Sequence, residues 1–103
     1  MDERFHSEQI DDLAKAMLTI ETQEEAYRFF EDIFTIKELQ AVAQRLAVAK
    51  MLRKRVTYQD IADQTGASTA TISRVNRSLT YGAGGYQLVL SRLGEDPAFQ
   101  DEV

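Results

Sequence analysis

Apolar residues near the start of the chain recur at the three- and four-residue spacing of an amphipathic helix. Ile10, Leu13 and Met17 belong to this stripe, which predicts a helix over residues 8–20. Ser7 precedes the stripe as a candidate N-cap, because its hydroxyl can accept a hydrogen bond from a free amide of the first turn. The first predicted element is therefore a helix with one apolar face.

A capping signature occurs twice more and predicts two further helices. A threonine stands three residues before a glutamate at positions 22–25 and again at 35–38, and apolar residues at helical spacing follow each pair. The first pair predicts a helix that completes an N-terminal helix pair within residues 7–34. The second predicts a longer helix over residues 36–54. The residues expected to face inward on these two helices are Ala26, Phe29, Phe30, Ile33, Leu39, Val42, Ala43, Leu46, Ala49 and Leu52.

Three shorter helices are predicted in the rest of the chain. Two of them form a candidate helix-turn-helix over residues 58–79, and the last is expected over residues 86–94, after a glycine-rich loop. The acidic end from Pro97 onward is expected to fray. No useful length of sequence alternates with the two-residue period of a strand. We therefore predict an all-α fold of about six helices in a single domain of residues 1–103.

The second helix is rich in aromatic side chains. Tyr27, Phe29, Phe30 and Phe34 lie within eight residues of one another. A monomer of 103 residues has a limited core in which to bury them. We therefore expect this surface to contribute to an intermolecular interface, as in a homodimer. The alternative is that these rings pack entirely within the chain.

Charge is distributed unevenly along the chain. The formal net charge is −5, yet residues 44–77 contain seven basic side chains against two acidic ones, which leaves −10 for the remainder. A basic segment in an acidic chain is what an electrostatic footprint for nucleic acid on one face would produce. Solvated helix faces produce similar clusters, so charge alone leaves both interpretations open.

Composition argues against several classes of protein. The chain has no cysteine and one histidine, His6, which argues against disulfides, thiolate metal sites and cysteine nucleophiles. With no candidate base, nucleophile or metal cluster, we predict a protein that is not an enzyme and uses no metal. The N-terminus lacks the apolar segment of a secretory signal, and no apolar run is long enough to span a membrane. We therefore expect a cytoplasmic protein without membrane contact.

The segment from Tyr58 to Arg77 has the pattern of a helix-turn-helix. Ala62 is small where the first helix would meet the second, Gly66 can supply the positive φ of a tight turn, and Ser68 can cap the second helix. Three apolar residues have the spacing to face the remaining core: Ile61, Ile72 and Val75. The alternative interpretation is a tight helical hairpin with no role in DNA binding.

The second helix of this motif suits the major groove of DNA, because its exposed residues are small and polar or are arginines. Hydroxyl and methyl groups would contact base edges, and basic side chains would neutralise phosphates. The residues predicted to contact DNA are Arg53, Lys54, Arg55, Gln59, Ser68, Thr69, Ala70, Thr71, Ser73, Arg74 and Arg77. The competing hypothesis is a protein-interaction module that keeps the helix-turn-helix scaffold without binding DNA and meets a basic partner through its acidic remainder.

Beyond these physical patterns, the chain resembles the tryptophan repressor superfamily, and most closely its YerC/YecD branch. The resemblance rests on residues 34–38 (FTIKE), 43–46 (AQRL) and 65–74 (TGASTATISR), with Ser78 and Leu79. It implies an intertwined homodimer in which helices of both subunits build one core. It also implies a transcriptional regulator, expected to be a repressor, whose two recognition helices read a pseudo-palindromic operator in double-stranded DNA.

The resemblance also suggests an effector site. Arg45 and Arg74 match the two arginines that hold the indole of tryptophan in the family's repressor. Thr35 and Ser78 match a threonine and a serine nearby. Val75, however, stands where the repressor has a glycine, and its branched side chain would crowd a ligand there. The turn before the fourth helix is also one residue shorter. We therefore expect another small effector, or none, rather than tryptophan, with one of the two arginines bracing helix packing and the other contacting phosphate.

Overall fold

A computed structural model describes residues 2–95 of the chain. A short 3-10 helix at Glu3–Phe5 precedes six α-helices. These are α1 Glu8–Met17, α2 Gln23–Ile33, α3 Ile36–Arg53, α4 Tyr58–Thr65, α5 Thr69–Tyr81 and α6 Gly85–Arg92. The described residues contain no β-strand, and the predicted all-α class is confirmed. The fraying predicted from Pro97 onward lies outside the described residues.

Hydrogen bonds confirm the predicted starts of the first three helices. The hydroxyls of Ser7, Thr22 and Thr35 each accept a hydrogen bond from the backbone amide three residues on, at 3.1, 3.1 and 3.2 Å. Glu38 completes a reciprocal capping box, since its carboxylate accepts from the Thr35 amide at 2.9 Å. The pKa of Glu38 is lowered mainly by this hydrogen bond from the amide, and to a smaller extent by a hydrogen bond with the Thr35 side chain.

Four helix ends differ from the prediction by one to three residues. The helices end at Met17 rather than residue 20, at Arg53 rather than 54, at Tyr81 rather than 79, and at Arg92 rather than 94. Past α6, Gly94 adopts a left-handed φ of 74°. The chain leaves the helical path there, because a residue in this conformation ends a helix.

The chain divides into two compact units, one up to Leu39 and one from Gln40. In the first unit, neither α1 nor α2 contains a buried residue. Of the side chains predicted to face inward on α2, Phe29 and Phe30 are half-buried, and Ile33 is 44% exposed. The inward face predicted for α2 is therefore only partly covered within a single chain. That residues 1–103 form one domain stays a prediction.

The second unit has a continuous apolar core. Its buried residues are Val48, Ala49, Ile61, Ala67, Ile72, Val75, Leu79 and Leu90. Half-buried residues packed against them are Leu46, Met51, Leu52, Val56, Ala62 and Tyr86. The burial predicted for Ile61, Ile72 and Val75 is confirmed. Because the core draws on α3, α4, α5 and α6, it holds the helix-turn-helix against the helices on either side of it in sequence.

The inward face predicted for α3 is only partly confirmed. Ala49 is fully buried, whereas Val42 is 42% exposed and Ala43 is exposed. Val48, which the prediction left out, has no exposed surface. The core of the second unit meets the C-terminal half of α3, and the packing of α4, α5 and α6 decides which side of the helix is covered.

Candidate nucleic-acid interface

The turn between α4 and α5 has the predicted geometry. Gly66 adopts the left-handed conformation with φ of 74°, and its amide donates to the Ala62 carbonyl at 2.9 Å. A Cβ atom at Gly66 would meet nothing within 4 Å, so it is the backbone conformation that favours glycine here. Ala67 follows with 5% of its surface exposed. The turn is therefore tied to the core at its midpoint.

Side chains also hold the end of α4. The Thr65 hydroxyl donates to the Ile61 carbonyl at 2.7 Å and accepts from the Ala67 amide at 3.1 Å. Gln44 of α3 donates its side-chain amide to the Thr65 carbonyl at 3.2 Å. From the sequence alone, Gln44 has no role beyond membership of the segment 43–46, because a polar residue on a helix does not reveal a partner so far along the chain. This hydrogen bond ties the turn to α3.

Two of the residues predicted to contact DNA form the cap of α5. The Ser68 hydroxyl accepts a hydrogen bond from the Thr71 amide at 3.1 Å and donates to the Thr71 hydroxyl at 3.1 Å. The cap predicted at Ser68 is confirmed. Thr71 is half-buried, although the prediction placed it in the groove. Its hydroxyl stabilises the start of the helix, and a DNA contact of either residue stays a prediction.

The rest of α5 separates into a buried and an exposed side. Ile72, Val75 and Leu79 lie in the core, with at most 7% of their surface exposed. The opposite side, which we call the exposed face of α5, carries Thr69, Ala70, Ser73, Arg74, Arg77 and Tyr81. Small side chains occupy the first turn and a half of this face, and larger basic and aromatic ones follow. In a helix-turn-helix the N-terminal residues of the recognition helix contact base edges.

The cations near the motif differ in their surroundings. Three arginines are exposed and form no ion pair within the part of the chain that the structure describes: Arg55, Arg74 and Arg77. Arg53 is half-buried as the last residue of α3. Lys54 is ion-paired with Glu95, with 2.9 Å between Nζ and Oε2. A phosphate would therefore meet no competing carboxylate at the three arginines, whereas at Lys54 it would compete with Glu95.

Gln59 lies in the first turn of α4. This helix follows the N-cap Thr57, whose hydroxyl accepts a hydrogen bond from the Asp60 amide at 3.2 Å. The Gln59 side chain is exposed and donates to the Asp63 carboxylate one turn further on, at 3.4 Å. This long surface contact leaves Gln59 accessible to a phosphate or a base.

Arg55 has a backbone conformation that side chains rarely adopt, with φ of 61°. Its amide donates to the Leu52 carbonyl at 3.0 Å, and the next amide, of Val56, donates to the Met51 carbonyl at 3.0 Å. Helices often end with this pattern of hydrogen bonds, and glycine usually takes the left-handed position. An arginine there costs roughly 1–2 kcal/mol. Folding alone therefore does not explain the arginine.

The four candidate effector residues are divided between the two units. Arg45, Arg74 and Ser78 are exposed in the second unit. Thr35 belongs to the first, where its amide and hydroxyl form the capping box of α3. Val75 is 2% exposed and belongs to the core. The prediction against tryptophan, which rests on the branched side chain of Val75, stays a prediction.

The described residues offer neither a metal centre nor a membrane span. They contain no group of three His, Cys, Asp or Glu side chains placed to hold a metal ion. None of their helices is both long enough and apolar enough to cross a membrane.

Comparison with known proteins places the chain among similar sequences. The family model for the Trp repressor protein matches residues 8–94. The uncharacterized protein YerC of Bacillus subtilis (strain 168) is 48% identical over 93 residues, which cover 90% of this chain and 89% of that protein.

Solved structures are similar as well. A TrpR-like protein from Eubacterium eligens ATCC 27750 matches with a TM-score of 0.86 at 53% identity, covering 90% of this chain and 96% of that one. A crystal structure from Staphylococcus aureus matches with a TM-score of 0.85 at 47% identity, covering 89% of this chain and 92% of that one. The chain has the fold that these proteins share.

Proposed function

Because the chain belongs to the Trp repressor family, a family of DNA-binding regulators and not of enzymes, we propose that it is a sequence-specific transcriptional regulator. On this proposal it acts in the cytoplasm as a homodimer, binds a pseudo-palindromic operator in double-stranded DNA and represses transcription. The dimer would present two copies of α5 to successive turns of the major groove.

The exposed face of α5 is the observation that carries the proposal. Ile72, Val75 and Leu79 hold the helix in the core, so its other side is rigidly presented to solvent. Thr69 and Ser73 supply hydroxyls one turn apart on that side. Such groups reach base edges without the bulk that would hold the helix out of a groove.

The distribution of charge supports DNA contact by the second unit. From Gln40 onward the sequence has eight basic and six acidic side chains, whereas up to Leu39 it has four basic and eleven acidic ones. Attraction to phosphate therefore belongs to the second unit, where Arg55, Arg74 and Arg77 have no carboxylate partner among the described residues. The acidic first unit would be repelled by the duplex.

The homodimer is supported by apolar surface that one chain leaves open. Ile10, Leu13 and Met17 form the stripe of α1, and each is 41–43% exposed. α2 adds Tyr27 at 58% and Ile33 at 44%. A second copy of the chain would cover these residues, which are otherwise exposed to water. Binding of a small effector near Arg45, Arg74, Ser78 and Thr35 is also proposed, with tryptophan disfavoured by Val75.

The test is selection of bound sequences from a random duplex library, with the purified protein at two salt concentrations. We expect a two-fold-symmetric site to be enriched, and the logarithm of its binding constant to fall with the logarithm of salt by about 0.9 per phosphate contact. Replacing Thr69 and Ser73 together by glutamate should abolish the enrichment, because the new carboxylates would enter the groove.

Thr80→Glu is the matched control. It adds the same side chain to an exposed position of α5, about 16 Å further along the helix from Thr69, and enrichment should survive it. No enrichment at either salt, with or without tryptophan, would contradict the proposal. A binding constant that does not respond to salt would contradict it too. Either result would favour the protein-interaction module.

A further inference from the structure

Two lysines of the basic segment already have an anionic partner within the chain. The Glu95 carboxylate lies 2.9 Å from Lys54 Nζ through Oε2 and 3.9 Å from Lys50 Nζ through Oε1. The hydrogen bond from Lys54, together with the charges of both lysines, lowers the pKa of Glu95. Arg55, the neighbour of Lys54, has no such partner among the described residues. Lys54 and Arg55 are therefore adjacent basic residues, and among the described residues Lys54 has a carboxylate partner whereas Arg55 has none.

A hydrogen-bonded turn at the end of α6 fixes the position of the Glu95 backbone. Gly94 is left-handed and its amide donates to the Ser91 carbonyl at 3.0 Å, while the Glu95 amide donates to the Leu90 carbonyl at 2.8 Å. Leu90 is fully buried, so the turn is tied to the core. The end of α3 at Arg55 has the same pattern of hydrogen bonds. Two anchored helix ends therefore bring the carboxylate and the lysines together.

We propose that Glu95 competes with DNA phosphate for two lysines of its own chain. In the free protein it forms ion pairs with Lys54 and Lys50, and these pairs weaken the contacts that the lysines make with a duplex. The inference rests on the proposed DNA binding. A phosphate that takes the place of the carboxylate at Lys54 must break the 2.9 Å contact, and a carboxylate left beside the duplex is itself repelled.

The competition changes the affinity for any duplex, whereas recognition of a particular base sequence belongs to α5. Phosphate contacts are alike in every duplex, so their weakening lowers binding to operator and random DNA together. Ion pairs between exposed side chains are weak, and a phosphate can replace the carboxylate at modest cost. Glu95 therefore sets how strongly the protein holds DNA and how steeply that affinity depends on salt.

The experiment measures binding to a random-sequence duplex over a series of salt concentrations. Glu95→Gln keeps the shape of the side chain and removes its charge. Each lysine that it releases to a phosphate should steepen the log–log salt dependence by about 0.9, which makes affinity about 3.5 times more sensitive to a rise from 50 to 200 mM salt. Glu24→Gln, on the exposed surface of α2, removes the same charge and should leave the slope unchanged.

Lys54→Gln identifies the lysine that carries the effect. In the wild-type background it should alter affinity little, because Glu95 already occupies Lys54. In the Glu95→Gln background it should remove most of the gain. Thermal unfolding of each variant confirms that it is folded before its binding is compared.

The outcomes separate this proposal from the proposed function. If wild-type protein binds duplex but Glu95→Gln has the same slope as Glu24→Gln, the competition is refuted and DNA binding stands. If Glu95→Gln binds more weakly than wild type, Glu95 positions the lysines for phosphate, and the competition is again refuted. If neither wild type nor any variant binds random or selected duplex, the proposed function fails and this inference fails with it.

Discussion

The two compact units of this chain use regular apolar patterns in different ways. From Gln40 onward the apolar spacing leads to a core, in which Ile61 and Ile72 have no exposed surface. Up to Leu39 the spacing is equally regular, yet α1 and α2 have no buried residue. An amphipathic pattern therefore shows that a face needs cover but does not show whether the same chain supplies it.

The units differ in charge as well, since the acidic side chains exceed the basic ones by seven up to Leu39, whereas the basic ones exceed the acidic ones by two from Gln40 onward. Apolar side chains left open to solvent suit association with another copy of the chain. A closed core with exposed arginines suits presentation of a rigid surface to a polyanion. On the proposed function, self-association would belong to the first unit and DNA contact to the second.

The largest expected effect tests the core of the second unit. Ile72→Ala should lower the free energy of unfolding by about 2–5 kcal/mol, because it leaves a cavity at a fully buried position. Ile36→Ala makes the same change in the first unit, where Ile36 is 66% exposed, and should cost about 1 kcal/mol or less. Denaturant unfolding measures both. An equal cost would show that Ile36 is covered in solution. The difference in burial between the two units would then not hold for the protein in solution.

The next effect concerns the open face of the first unit. Leu13→Lys should weaken self-association roughly a hundredfold, since an unpaired ammonium buried in an interface costs several kcal/mol. Asp12→Lys introduces the same side chain on the polar side of α1 and should leave the dimer intact. Sedimentation equilibrium of the three proteins measures the difference. A wild-type protein that is monomeric at every concentration would contradict the proposed dimer.

A smaller effect separates folding from binding in the second unit. Arg55→Gly should raise the free energy of unfolding by about 0.5–1 kcal/mol, because glycine adopts the left-handed conformation without strain. It should also weaken duplex binding through the loss of a phosphate contact. Arg55→Gln removes the charge and keeps the strain, so only binding should fall. Equal stability of all three proteins in thermal unfolding would refute the strain.

The smallest effect is a dependence of stability on pH at the capping box of α3. Because folding lowers the pKa of Glu38, the ionised carboxylate stabilises the folded state above the ordinary glutamate pKa of 4.5, and this contribution is lost as the pH falls below that value. Glu38→Gln should flatten the acid side of the stability profile between pH 3 and pH 7. Glu31→Gln on α2 serves as control, and identical profiles for the two variants would count against the cap.

Much of the fold and part of the site follow from local patterns. The caps at Ser7, Thr22 and Thr35 and the left-handed Gly66 were predictable, because each depends on residues a few positions away. The apolar spacing of α5 also predicted which of its sides is exposed. These features arise within one turn or one helix, where spacing in sequence translates directly into position in space.

The features that the sequence did not reveal involve residues far apart along the chain. Gln44 binds the end of α4, and Glu95 pairs with Lys54 of another helix end. Val48 rather than Val42 is buried, because the helices that follow pack on the C-terminal half of α3. Thr71 is turned toward its cap rather than fully into solvent. Each depends on where separate elements meet, and periodicity within one element carries no information about that.

The sequence by itself thus determined the all-α class, the helix starts, the turn of the helix-turn-helix and the side of α5 that faces solvent. Only the tertiary structure decided which side of α3 is covered, which basic side chains are held by carboxylates and which apolar faces one chain leaves open. The physical reason is how far apart along the chain the interacting residues are. Capping and turn conformation are energies of neighbouring residues, whereas burial and ion pairing depend on packing between elements that sequence spacing does not specify.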